Sequence, residues 1–109
     1  MSLLAERSCT EPGTGTLCSR AQAAGLLGEL APGWEITEEG RALRKAFRFA
    51  DFHRTMSFVN ALAHEANRED HHPDLEVGYN YCNVRFSTHD AGGLTLKDFI
   101  CAARADHLT

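Results

Sequence analysis

Residues 51–73 most constrain how this chain can fold. Asp51 is placed to cap a helix, and Phe52, Met56, Val59, Leu62, Ala63 and Ala66 then recur at helical spacing over about four turns. Pro73 drives the preceding residue out of the α region, so this helix must end by His72. On both sides of it the apolar period switches from helical to two. Upstream, Trp34-Glu35-Ile36 alternates, Glu38-Glu39-Gly40 reads as a turn, and Leu43, Phe47 and Phe49 share one face of residues 41–49. Arg44 and Arg48 take the other face, with Lys45 as the only misfit. Downstream, Leu75, Val77 and Tyr79 alternate with Glu76, Gly78 and Asn80, and Cys82, Val84 and Phe86 with Asn83, Arg85 and Ser87.

Shorter helical patterns close the two ends. Ser19 and Gln22 form a capping box ahead of Ala23, Leu26, Leu27 and Leu30, until Pro32-Gly33 stops the helix. Thr95 opens the last helix, whose buried stripe is Leu96, Phe99, Ile100 and Ala103. The order α-β-β-α-β-β-α, with no run of βαβ units, predicts an α+β fold: a single antiparallel β-sheet of about four strands with three helices packed on one face. A chain of 109 residues suffices for one such domain. Residues 1–18, with Pro12, Gly13 and Gly15 among Ser and Thr, have no period and are expected to form a flexible N-terminal arm, leaving 19–109 as the domain.

Charge and composition remove several function classes. A net charge of −4 gives no long-range attraction to phosphate backbones, so no direct nucleic-acid partner is expected. The longest apolar stretch, Ala21 to Ala31, is about half a membrane span and is interrupted by Gly25, Gly28 and Glu29. The opening Met-Ser-Leu-Leu-Ala-Glu does not read as a secretory signal, which makes the cytoplasm the expected location. Cys9, Cys18, Cys82 and Cys101 contain no Cys-x-x-Cys pair and are read as free thiols.

The residues that most resemble chemistry are Asp70-His71-His72-Pro73, read with His89 and Asp98. Adjacent residues in an extended segment point to opposite sides, so one of His71 and His72 faces a substrate while the other supports it, unless the turn aims both inward. Pro73 stiffens the junction, and imidazole exchanges protons near neutral pH. Counted by twos from Asn83, His89 falls on the polar parity of its strand, if the strand runs that far. Asp98 is either the acid of a Thr95-x-x-Asp98 capping box or a site residue. A polar capping loop is the alternative for the histidine pair. The spacing of the three histidines is not a recurrent metal-ligand pattern, so no metal is expected. His53, His64 and His107 lie on helical segments and are assigned no role.

Taken together, Asp70-His71-His72-Pro73, Tyr79-Asn80, Ser87-Thr88-His89, Gly93-Leu94 and Asp98 resemble the signature of the pterin-4a-carbinolamine dehydratases. The resemblance extends through Gly33-Trp34-Glu35 and Phe47-x-Phe49-x-Asp51-Phe52, covering roughly residues 19 to 105. It implies a small lyase without a cofactor, which removes water from 4a-hydroxytetrahydropterin to give quinonoid dihydropterin in the recycling of aromatic amino-acid hydroxylase cofactor. On the matching positions it implies His71, His72 and His89 as the catalytic set. Asp70, Pro73, Thr88, Asp90, Ala91 and Asp98 then lie about the substrate, with Asp98 or Asp70 able to orient an imidazole. It also implies a homo-dimer or homo-tetramer. The alternative on the same fold is a non-catalytic protein-binding module, since relatives serve as a dimerisation cofactor for a homeodomain factor and as assembly factors for a carbon-fixing enzyme. Two positions depart from the family pattern: Asn67 stands where an acid is common, and Leu75 where some relatives carry tryptophan.

Overall fold

The computed structural model describes residues 4–109. Three helices, α1 (Arg20–Leu27), α2 (Phe52–Glu69) and α3 (Leu96–Asp106), alternate with four strands, β1 (Glu35–Thr37), β2 (Ala42–Arg48), β3 (Asp74–Val77) and β4 (Tyr81–Phe86). The sheet is antiparallel throughout, in the order β1-β2-β4-β3. This is the expected α+β architecture. β4 is central and wholly alternating: Cys82, Val84 and Phe86 are buried, while Tyr81, Asn83 and Arg85 face away from the core. None of the described helices is long and apolar enough to cross a membrane.

The core lies between sheet and helices. Trp34, immediately before β1, meets Phe47 edge-on at 5.9 Å and Phe86 at 6.1 Å, and Phe47 packs on Phe58 of α2 at 4.6 Å. Lys45, the misfit of β2, shares the parity of Leu43 and Phe47 because it is part of that interior. Its amine lies 4.7 Å from the Phe47 ring centre and pairs at 2.7 Å with Asp106, whose other oxygen accepts from Trp34 Nε1 at 2.9 Å. Both side chains of the pair are close to nine-tenths buried. Removing one partner strands the other charge in a poorly hydrated setting, so Lys45→Met is expected to cost about 2–4 kcal/mol in a urea titration, well beyond the effect of a surface ion pair.

The helices depart from expectation in detail. α1 ends at Leu27 with Gly28 as its cap, although the Pro32-Gly33 signal lies further on. The Gly25 and Gly28 positions weaken the helix before the proline can stop it. Only Ala23 is fully buried on α1, with Leu26, Leu27 and Leu30 half-buried. On α2 the buried residues are Thr55, Phe58, Leu62, Ala66 and Glu69: the expected Leu62 and Ala66 are among them, Met56 and Val59 are half-buried, and Ala63 and Phe52, the latter 49% exposed, face outward. The polar Thr55 is tolerated inside because its hydroxyl donates to the Asp51 and Tyr79 carbonyls, each at 2.9 Å.

Of residues 1–18, expected to be a flexible arm, 1–3 lie outside the described residues and 4–18 pack against the domain. Leu4, Cys9 and Thr14 are buried, Arg104 donates from Nη2 to the Arg7 carbonyl at 2.7 Å, and Leu17 bridges to Thr95. The physical reason is that α3 is apolar on nearly every side, with Phe99, Ile100, Cys101, Ala102, Ala103 and Ala105 all buried. The sheet covers only one of those sides.

Candidate active site around Asp98

The site begins where α2 ends. Asp70 adopts the left-handed conformation (φ 51°, ψ 41°) and its N–H donates to the Ala66 carbonyl, as does that of His71 at 3.2 Å. The helix therefore stops at Glu69, before the limit set by Pro73, through a left-handed cap that aspartate tolerates better than most residues. Asp70 acts as a backbone terminator, its exposed side chain making no hydrogen bond among the described residues. The chain then runs extended into β3, and the alternation expected of adjacent residues holds: His71 turns inward and His72 outward.

His71 stacks at 6.2 Å and 10° on Phe86, with only a tenth of its side chain exposed. Its Nε2 meets Asp98 Oδ1 at 2.6 Å. Asp98 is fully buried, and its other oxygen, Oδ2, accepts from the Thr95 N–H at 2.9 Å and from the Thr88 hydroxyl at 2.8 Å. Thr88 and Thr95 hydroxyls also lie 2.8 Å apart. The two readings of Asp98 thus coexist: one carboxylate oxygen caps α3 while the other holds an imidazole. Because a carboxylate only accepts, Nε2 is the nitrogen that presents a hydrogen to Asp98, which leaves Nδ1 as the ring nitrogen not engaged by the carboxylate. The charge on Asp98 also reaches Cys18, whose thiol is pushed up first by burial and then by that carboxylate.

His72 is exposed, with Nε2 3.0 Å from the Asn67 amide oxygen. The position where an acid is common therefore still touches a histidine, through a neutral group. His89 is not on β4. The strand stops at Phe86, and Thr88 opens a 3-10 turn over His89–Ala91, closed by Gly92 in the left-handed region (φ 77°) and by paired Thr88 and Gly93 backbones. Strand parity does not orient this ring; the turn does. His89 and Asp90 are exposed, and Ala91 is half-buried. Asp98 joins the two halves directly, gripping His71 on one side and Thr88, the residue before His89, on the other. Pro73 follows the histidine pair half-buried.

Chemistry and volume do not coincide in this molecule. Clefts of about 550, 510 and 510 Å3 lie elsewhere, one beside Asp106 and His107, one between Arg20 and Gly93, and one between Arg7 and Leu96. On its inner side His71 borders a void of only about 10 Å3. Among the described residues there is no His, Cys, Asp and Glu group arranged to hold a metal ion.

Comparison with known proteins places the chain in a family and a fold. The family model described as pterin 4 alpha carbinolamine dehydratase matches residues 16–108. A relative from Legionella pneumophila, provisionally named pterin-4-alpha-carbinolamine dehydratase, is 54% identical over 96 residues, covering 88% of this chain and 85% of its own. One from Stenotrophomonas maltophilia with the same provisional name is 53% identical over 107 residues, covering 97% and 91%. Among solved structures, a transcriptional coactivator/pterin dehydratase from Brucella melitensis superposes with a TM-score of 0.79 at 27% identity, over 84% of this chain and 96% of that one. A pterin dehydratase-like protein described as a RuBisCO assembly factor of the alpha-carboxysome superposes with a TM-score of 0.61 at 27% identity, over 70% and 88%. The chain belongs to the pterin-4-alpha-carbinolamine dehydratase family.

Proposed function

We propose that the protein dehydrates 4a-hydroxytetrahydropterin to quinonoid dihydropterin, with His71, His72 and His89 as its acid–base set. The observation that carries the reading is the buried Asp98 carboxylate, which orients His71 at 2.6 Å and anchors the loop bearing His89 through Thr88. Elimination of the C4a hydroxyl requires one proton delivered to the leaving oxygen and one removed from a ring nitrogen, and each assisted transfer contributes about 10²–10⁴-fold. Asp98 holds one tautomer of His71, and Asn67 holds His72 through Nε2, so each ring keeps its Nδ1 for the substrate. Asp70, Pro73, Thr88, Asp90 and Ala91 are assigned to the surroundings of the pterin ring. The test is direct: the purified protein, without added metal or cofactor, should accelerate decay of the 4a-carbinolamine. Decay at the uncatalysed rate overturns the proposal.

A protein-binding role on the same fold is the second reading. It is favoured by the likeness to the solved pterin dehydratase-like protein described as an assembly factor. The fold also carries an exposed apolar patch, in which Tyr79 (65% exposed) stacks on Phe52 at 6.4 Å beside Val77. We assign this patch to self-association into a dimer or tetramer. Phe52→Asp combined with Tyr79→Asp is expected to reduce the mass measured by light scattering to that of one chain. An unchanged mass removes the patch from the interface. Absent turnover together with a stable complex with a different protein would favour the second reading.

A further inference from the structure

The best-positioned pair of reactive groups outside the histidine site lies where residues 4–18 meet α3. Cys9 and Cys101 are both buried, at 1% and 5% exposure, and their sulfurs are 3.2 Å apart. They are separated by 92 positions in sequence, so only the tertiary fold brings them together. Cys9 is held in place from several directions. Its N–H donates to the buried Glu69 carboxylate at 2.8 Å, its carbonyl accepts from the Thr14 hydroxyl at 2.8 Å, and its thiol reaches the Lys97 carbonyl at 3.4 Å. Arg104, whose Nε is 3.8 Å from Glu69, grips the preceding Arg7 carbonyl. Cys101 lies in the rigid middle of α3, one turn beyond Asp98.

We propose that Cys9 and Cys101 are a modification site, closing to a disulfide that fastens the N-terminal segment to α3. The sulfurs need to approach by only about 1 Å to reach the bonding distance of about 2.05 Å. Two S–H bonds break and one S–S bond forms, and the two electrons and two protons pass to a disulfide oxidant such as oxidised glutathione, which leaves as two thiols. The reduced pair is slow to react. The hydrogen bond with Cys9, followed by burial, holds the Cys101 thiol far above its ordinary pKa, and only thiolates attack disulfides. Cross-linking should therefore accelerate as the pH rises from about 7 to 8.5. Cys82, pushed up to about 11 by burial, and Cys18 have no such partner among the described residues.

The readouts are thiol chemistry and melting, so they are independent of the dehydratase reading. The folded protein is incubated with excess oxidised glutathione at about pH 8.5, alkylated in denaturant and mapped by peptide mass spectrometry. The expected result is a Cys9–Cys101 cross-linked peptide, loss of two of the four alkylatable thiols, and a melting temperature raised by about 10 °C that a reductant reverses. Cys9→Ser should abolish all three, whereas Cys18→Ser should leave them intact. The proposal is overturned if both cysteines remain alkylatable after prolonged exposure, if each carries glutathione separately, or if a cross-link persists in Cys9→Ser.

Discussion

Replacing His89 with alanine should slow dehydration of the 4a-carbinolamine by about 10²–10⁴-fold, the contribution of one positioned proton transfer. His72→Ala should slow it at least about tenfold. Both rings are exposed and neither packs in the core, so melting temperatures should stay close to that of the parent chain, which separates lost chemistry from lost structure. His71→Ala differs: it also empties a stacked position on Phe86 and takes a hydrogen-bond partner from a buried carboxylate. It should lose both turnover and stability. Single-turnover kinetics on the three variants checks this ordering, and wild-type rates in all of them would sink the acid–base mechanism.

The second large effect is expected at Asp98. Alanine there removes an α3 cap and leaves the Thr95 N–H, the Thr88 hydroxyl and His71 Nε2 short of an acceptor in a buried setting. The combined cost is about 3–5 kcal/mol of unfolding free energy. Asparagine separates the two duties. Its oxygen can still accept from Thr95 and Thr88, but its NH2 then faces His71 and demands a lone pair on Nε2, which inverts the tautomer. Asp98→Asn should therefore keep most of the stability, within about 1–2 kcal/mol, while lowering kcat about 10- to 100-fold with little change in KM. Urea titration and steady-state kinetics on the two variants read the separation. Equal stability loss in both would assign Asp98 a purely structural role.

Much of the fold was legible because its signals are local. Period two marked the β2, β3 and β4 strands, helical spacing marked all three helices, and Asp51, Ser19 and Thr95 were recognisable caps that do cap. The misses arise where packing overrides pattern. On α2 the expected Leu62 and Ala66 are buried, but toward the N-terminus Thr55 and Phe58 are buried where Phe52 and Met56 were expected. The apolar residues there span more of the helix than one interior face, and the sheet surface selects among them. Lys45 disrupts the β2 alternation because its counter-ion, Asp106, comes from 61 positions away. Residues 4–18 carry no period, yet they pack, because α3 offers a second apolar side that no local pattern announces.

The candidate site divides in the same way. Sequence alone singled out the candidate side chains and the stiff His71-His72-Pro73 junction, since these follow from side-chain type and backbone geometry within a few residues. It left open whether the two imidazoles face apart or the turn aims both inward, and the fold turns His71 in and His72 out. Tertiary structure alone decided that His71 and Asp98, 27 positions apart, meet at 2.6 Å. It also decided that a turn, not strand parity, carries His89, and that one carboxylate serves as helix cap and imidazole partner together. The physical reason is that periodicity and capping are short-range, whereas a buried carboxylate must gather its donors from whichever elements the core brings alongside it.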